Sequence, residues 1–523
     1  MRSRQSFVQG AMILTAAGII SKLLGAVYRI PFANLVGNEG IGLYQMAYPI
    51  YTALLALSTA GVPVAVSIMV AETKTQGDVK GAHRILSSAV LMLGVLGVIF
   101  SISLYGMSGF IAEKIFYDGR AEYCLKLISP ALFFTAVVSP LRGYFQGNQN
   151  MIPTAVSQII EQLVRVVTVF VGAMLLMPYG IAYAAAGATF GAVTGSFGAL
   201  TVLIIFYLTS HKREKGQTSL GYWTCIKRLT KLAIPVCLGG LVMPLMQGID
   251  AIVVPLRLRT AGYDAIGATS LYGELTGMAG PLINLPGVVT LALAASVVPI
   301  VSAALAQGKL KLLQARVEEG IRMAILICLP AAVGLVVLAR EVSYSLYALP
   351  TMGTTLAALA PATFFLGMHQ ASAGVLQGLG RTALPVRNLL IGATIKLIVT
   401  YWLTGMPGWG IKGAALGSVF GFAVPAVLNL LPLKHILPKP IEMDRLLLKP
   451  VFAATIMAVT LYFSKEMFVL SRITGLLLVG VGGLIYAGAL IIVGEIKSKE
   501  ISLIPIIGPE FSRILLNVGI VRE

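Results

Sequence analysis

A chain of 523 residues that is 57% hydrophobic and only 11% charged, with a mean hydropathy of +0.87, is far from the soluble average of about 25% charged residues. It is the composition of an integral membrane protein, and the segments between its apolar runs are too short for a soluble domain. The formal net charge of +18 could suggest nucleic acid, but the basic residues cluster in some of those short segments, which is the positive-inside pattern of topology, with attraction to anionic lipid besides.

The sequence predicts about fourteen spans near the ~17–25 residues that cross a ~30 Å hydrocarbon core. The first, 8–36, follows a short basic start and lacks a small-residue cleavage site, so it reads as a retained helix. It carries Lys22 and Arg29, seven residues and therefore two turns apart, on one face, with no acid in that helix before Glu39. Either these cations pair with Asp250 or Glu274 of the second half, or they line a wet cavity that attracts an anion. The options are compatible, because an ion pair that closes an empty cavity opens when an anionic substrate competes for the cation. Spans 46–71, 85–105 and 124–145 follow, with snorkelling expected of Lys126 and Arg142 near span ends. Span 154–177 holds Glu161 and Arg165, four apart with the acid first, the favourable order for a helical pair, acting as a buried clamp or as part of a transport path. Span 182–208 precedes a basic connection with Lys212, Arg213, Lys215, Lys227, Arg228 and Lys231.

Six more spans come next: 232–256 with Asp250, 269–301 with Glu274, 323–340, 354–377, 388–405 with Lys396, and 411–433. Spans 450–465 and 473–493 end the series. A Lys, Arg or Asp at the centre of a span costs about 2.5–3.5 kcal/mol on insertion scales, so each of these charges is expected to face protein or water. Prolines gather in the second span (Pro49, Pro63), the seventh (Pro235, Pro244, Pro255) and the eighth (Pro281, Pro286, Pro299), where they favour bending.

The two sets of six read as one duplicated piece. Ser129-Pro130-Ala131-Leu132-Phe133-Phe134, leading to Gly143 and Gln146-Gly147, returns 231 residues later as Ala360-Pro361-Ala362-Thr363-Phe364-Phe365, leading to Gly374 and Gln377-Gly378. Gln76-Gly77 returns as Gln307-Gly308, and Arg165 is matched by Lys396 at the same offset. Six spans per copy is an even number, so both copies are expected to face the same way, and a duplicated bundle is the organisation of many secondary transporters, whose substrate site lies between the two copies. The expected fold is all-α and polytopic: an N-terminal lobe over 1–210, a cytoplasmic connection over 211–231, a C-terminal lobe over 232–433, a cytoplasmic loop over 434–449, two further helices within 450–495 and a cytoplasmic tail over 496–523. Both termini are placed in the cytoplasm.

Cys124, Cys225, Cys237 and Cys328 are scattered, and His83, His211, His369 and His435 are isolated, so no disulfide, metal or cofactor framework is expected. His369 alone lies within a span, as a packed or hydrogen-bonded imidazole. No catalytic residue and no nucleotide phosphate loop stands out, which leaves a transporter whose coupling to an ion or to membrane potential is open.

Several runs resemble a known family. Ser21-Lys22-Leu23-Leu24-Gly25-Ala26-Val27-Tyr28-Arg29, Gly40-Ile41-Gly42-Leu43-Tyr44, Ala60-Gly61-Val62-Pro63, Arg142-Gly143-Tyr144-Phe145-Gln146-Gly147, Tyr272-Gly273-Glu274-Leu275-Thr276-Gly277 and Ile504-Pro505-Ile506-Ile507-Gly508 resemble the stage V sporulation protein B family, over essentially the whole chain. This family sits in the polysaccharide-exporter branch of the multidrug, oligosaccharidyl-lipid and polysaccharide flippase superfamily. The resemblance implies a two-lobed flippase of the multidrug-extruder type, working by alternating access on a polyprenyl pyrophosphate sugar, notably the peptidoglycan precursor of spore cortex or wall. It also implies the cytoplasmic membrane of a Gram-positive endospore former, with membrane lipids and cell-wall synthesis proteins as partners. Lys22, Arg29 and Lys396 would then be cavity cations, Asp250 and Glu274 cavity or gating acids, and Glu161 and Arg165 a structural or transport pair. Related lipid II flippases carry a Ser-Arg-x-x-Gly-x-x-Arg-Asp pattern, to which Ser21, Lys22 and Gly25 conform, while Tyr28 holds the second arginine's place and Arg29 follows it. Rival expectations are a cation-coupled drug exporter using Asp250 and Glu274, a flippase for another undecaprenyl-linked unit, a polytopic glycosyltransferase, and a scaffold without transport.

Overall fold

The computed structural model describes residues 7–59, 61–210 and 220–495. The basic residues Lys212, Arg213 and Lys215, His211, the motif at Ile504–Gly508 and the rest of the 496–523 tail lie outside the described residues. The described residues contain helices and turns and no strand.

By contacts, the chain divides into two compact units, Met1–Met278 with Thr404–Ile411, and Ala279–Leu403 with Lys412–Glu523. The first unit holds α1 (Phe7–Val27), α2 (Arg29–Thr59), α3 (Val62–Thr75), α4 (Val79–Phe110), α5 (Ala121–Ile128), α6 (Ala131–Gly147), α7 (Ile152–Leu176), α8 (Ile181–Thr189), α9 (Gly191–Ser210), α10 (Tyr222–Gly240), α11 (Val242–Thr260) and α12 (Ala265–Gly273). The second holds α13 (Gly280–Ala306), α14 (Leu310–Val337), α15 (Ala339–Tyr347), α16 (Gly353–Leu359), α17 (Pro361–Gly378), α18 (Ala383–Thr404, with Thr404 assigned to the first unit), α19 (Ile411–Leu430), α20 (Leu433–Ile436), α21 (Met443–Met467) and α22 (Thr474–Ile492). Their starts follow local chemistry: Asp78 caps α4 by accepting from Gly81 N at 2.7 Å, Asp264 caps α12 through Gly267 N at 3.0 Å, and proline opens α3, α7, α13 and α17.

Among the described residues, twelve helical stretches are long and apolar enough to cross a membrane, which makes this a multi-pass membrane protein. That is fewer than the expected fourteen, for identifiable reasons. The stretch Met12–Thr75 is 64 residues long and takes in both of the first two expected spans, with a corner at Gly37, where φ is 69°. The expected span 232–256 is divided at Leu241 between α10, which carries Lys227, Arg228 and Lys231, and α11, which carries Asp250, Arg257 and Arg259, and neither half qualifies.

The duplication is visible atom by atom within each unit. In the first, a Cβ on Gly143 would stand 2.6 Å from Pro63 O and one on Gly147 2.7 Å from Ser67 O, so α6 lies backbone to backbone on α3. In the second, Gly374 and Gly378 meet Ala294 O and Val298 O, both at 2.8 Å, the same contacts moved by 231 residues. Left-handed backbone recurs at the same offset: Gly77 and Gly308, Tyr117 and Ala348, Gln149 and Gly380. The two helices beyond the duplication are fastened within the second unit: Lys465 of α21 donates to Val337 O at 3.2 Å, Arg322 of α14 meets Glu495, just past α22, at 2.6 Å, and Ser345 Oγ of α15 accepts from Gly475 N at 3.0 Å.

Candidate functional site

The first unit has a charged interior. Glu161 of α7 is gripped from two sides, by Arg165 Nη2 at 2.7 Å one turn along and by Arg142 Nη2 of α6 at 2.8 Å, with all three side chains only 16–17% exposed. Arg142 Nε also donates to Ser157 Oγ at 3.0 Å. Arg142, expected to snorkel, instead spends its guanidinium on Glu161 and Ser157 inside the unit, where Gly143 brings this part of α6 onto α3. Two small residues let α9 reach α7 at this level, since a Cβ on Gly195 would stand 2.7 Å from Glu161 O and one on Gly191 2.9 Å from Arg165 O. Two guanidiniums on one carboxylate leave a positive charge over.

Arg29 adds to it. It opens α2, half-buried, and its Nε has no hydrogen-bond partner among the described residues; the same holds for Arg165 Nε. Tyrosines at 28, 44, 48 and 51 stand beside these cations. The spacing 44, 48, 51 places them on one face of α2, and their rings pack in series, with centroids 4.8 Å apart for Tyr44 and Tyr48 and 6.0 Å for Tyr48 and Tyr51. Lys22, on α1, is exposed, and the helix beneath it is held to α7 where Gly25 meets Gln162 Nε2. Lys22 and Arg29, predicted to share a face, thus differ in burial.

A second polar group fastens one end of α2 to α12. Gly42 would collide with Thr269 O at 2.2 Å and Gly273 with Asn38 O at 2.1 Å if either carried a Cβ, so the two helices touch through bare backbone. Around that contact Asn38 Nδ2 donates to Glu274 Oε1 at 2.9 Å, Gln45 Nε2 to Thr276 O at 3.1 Å, and Tyr272 OH to Gln45 O at 3.1 Å. In the turn before α5, Asp118 accepts from Arg120 at 2.7 and 2.9 Å and from Thr269 Oγ1 at 2.8 Å, while Arg120 reaches on to Glu39. Burial alone would raise the Asp118 carboxyl, but the hydrogen bonds and charge of Arg120 with the Thr269 hydroxyl outweigh it and hold the group below its ordinary value; the same contacts raise Arg120. Asp250 is buried on α11 in this unit.

The second unit keeps a polar interior of different chemistry. Asn388, which is 231 residues after Ser157, donates to Asn429 Oδ1 at 2.9 Å, and Asn429 Nδ2 contacts Ser372 Oγ at 3.2 Å and His369 Nδ1 at 3.3 Å. His369 is thus a hydrogen-bonded imidazole. Lys396 is buried, 4% exposed, and Gly392 stands where the first copy has Glu161.

The polysaccharide biosynthesis protein family matches residues 7–305 and the MatE family residues 235–402. Stage V sporulation protein B of Bacillus subtilis (strain 168) is 33% identical over 522 residues, covering 97% of this chain and 99% of the relative. The chain belongs to the stage V sporulation protein B family. The lipid II flippase MurJ of the same organism is 29% identical over 82% of each chain. Among solved structures, a lipid II flippase MurJ in an inward closed conformation matches with a TM-score of 0.69 at 18% identity, covering 92% of this chain and 99% of that one. An inward-facing multidrug resistance MATE transporter matches with a TM-score of 0.66 at 17% identity over 80% and 94%. These likenesses identify the fold as that of the MATE and MurJ superfamily of flippases and transporters.

Family membership sets the missed residues apart from the expected ones. Tyr44 and Glu274 lie in motifs that carry the resemblance, but Asn38, Asp118 and Arg120 lie in short polar segments between the expected spans and Thr269 at the edge of one, with no further sequence signal. Their partners are up to 236 residues away, as for Asn38 and Glu274. Arg142 lies in a motif that carries the resemblance, and its link to Glu161 on another helix has no helical spacing to reveal it.

Proposed function

We propose that this protein is a flippase for a lipid-linked cell-wall oligosaccharide, a polyprenyl pyrophosphate sugar of the lipid II type, carried across the cytoplasmic membrane by alternating access. The observation that carries this reading is the cluster in which two guanidiniums, Arg142 and Arg165, share the one carboxylate of Glu161, with Arg29 beside the same tyrosines as Arg165 and its Nε unpartnered among the described residues. Such an interior suits an anionic head that cannot cross hydrocarbon unaided, while the polyprenyl tail stays in lipid. Lys22, exposed on the neighbouring helix, meets the head first, and Arg29 holds it deeper. The contact of α2 with α12 through Asn38, Glu39, Asp118, Arg120, Thr269 and Glu274 acts as the gate on the outer side, with both termini and the basic connection in the cytoplasm. Lys396 serves as a cation of the second unit, and Asp250 is left to ion coupling.

Lys22→Gln and Arg29→Gln keep polar bulk and remove charge. Both variants should reach wild-type levels in the membrane yet leave precursor on the inner leaflet, read by accessibility of the lipid-linked precursor from outside and by complementation of sporulation. A double variant with full activity rejects the cationic site. The MatE match keeps a second outcome in view: efflux of a cationic drug that needs Asp250, with no effect of Lys22 or Arg29, would replace this reading by that of a drug exporter.

A further inference from the structure

The tyrosines of the first unit form a directed relay. Tyr44 OH donates to Tyr48 OH at 2.8 Å, and a phenol has one proton, so at the 2.9 Å contact between Tyr28 and Tyr44 it is Tyr28 that donates. Each hydroxyl spends its proton on the next until Tyr48, which among the described residues has no acceptor for its own. Tyr28, Tyr44 and Tyr51 are 6%, 1% and 4% exposed, whereas Tyr48 is only half-buried. The relay therefore ends in an unspent O–H on the one tyrosine of the four that is not fully buried, and accepting from Tyr44 polarises that hydroxyl and makes it a better donor. Arg29 and Arg165 both lie within electrostatic reach of it, and each keeps a buried Nε without a partner.

We infer that Tyr48 is a substrate-contacting residue that donates a hydrogen bond to a phosphate oxygen of the transported lipid, beside Arg29 and Arg165. This rests on the flippase reading and adds to it both a residue and the group recognised. A hydroxyl whose oxygen already accepts from Tyr44 and two guanidiniums present donors, so the matching ligand is an oxyanion without protons to give. Sugar hydroxyls would need acceptors as well, and Glu161 is already taken by two arginines. Tyr51 belongs to another chain, bonded to Thr135 at 3.3 Å and through it to Ser196 at 2.9 Å, and is not part of the contact.

The test measures binding of geranylgeranyl pyrophosphate, of the neutral alcohol geranylgeraniol and of a soluble muropeptide to the full-length protein in lipid nanodiscs. Tyr48→Phe keeps the ring packed between Tyr44 and Tyr51 and removes only the hydroxyl. It should weaken binding of the pyrophosphate about tenfold, the size of one hydrogen bond to a charged group, with unchanged melting temperature and no change for the alcohol. Tyr44→Phe, which removes the donor to Tyr48, should weaken it by a smaller factor of about two to three. If wild type binds the pyrophosphate and Tyr48→Phe binds it equally, the role of Tyr48 is overturned while the flippase reading stands. If only the muropeptide is affected, the phosphate assignment is overturned. If wild type binds neither anion, both readings fall together.

Discussion

Glu161 can neutralise only one of the two guanidiniums that grip it, so the three members of the cluster are not equivalent. Removing Arg142 leaves Glu161 with Arg165, an ion pair that is still balanced; removing Glu161 leaves two largely buried cations without the carboxylate between them. Breaking a fully buried pair by deleting one partner costs roughly 3–5 kcal/mol, and less where, as here, the groups keep some exposure. Glu161→Gln should therefore lower the amount of protein in the membrane and its melting temperature more than Arg142→Gln does, and Glu161→Gln with Arg142→Gln together should recover part of the loss. Equal losses from both single variants would show that the surplus charge is not what the cluster balances. The pair at 161 and 165 was legible in the sequence because four-residue spacing is a property of one helix. The third member was not, because Arg142 and Glu161 meet only once α6 and α7 have packed.

Where α2 lies on α12, a buried carboxylate controls the contact. Asp118 has a lowered pKa when folded, so its stabilising effect is complete above the unfolded value of about 3.9 and is lost as pH falls through the folded value beneath it. Asp118→Asn should accordingly melt earlier than wild type at pH 7, and the difference should persist through pH 5 and shrink only below about pH 4, measured by thermal unfolding in detergent. A difference that narrows between pH 7 and pH 5 would assign the effect to another group. None of this was visible along the chain: apolar length marks spans, and proline and glycine mark corners, but a contact between bare backbones at Gly42 and Gly273 depends on which helices become neighbours. The same limit explains the expected span 232–256, where hydropathy sees one apolar run and the structure has two helices meeting at Leu241.

Over the whole molecule, the doubled sequence and the basic segments predict an orientation that labelling can test. Lys227 is exposed near the start of α10, and a single cysteine placed there, in a protein lacking the four native cysteines, should resist a membrane-impermeant label in intact cells and react after permeabilisation. Labelling from outside would reverse the orientation and with it the placement of the gate. The duplication itself was the most legible feature, since glycines kept for close helix contact recur at a constant offset, while the polar cores did not announce themselves because their residues differ between copies: Ser157 against Asn388, Glu161 against Gly392, Val138 against His369. The left-handed corners at Tyr117 and Ala348, and at Gln149 and Gly380, have a consequence for descent. Two identical subunits related by an axis must carry the same chemistry twice, whatever the ligand asks of each. Once the halves share one polypeptide, inheritance can hold the corners fixed and let the interiors drift apart, so that an arginine-rich core and an amide-rich core occupy the same scaffold, an inequality that no symmetric ancestor could have expressed.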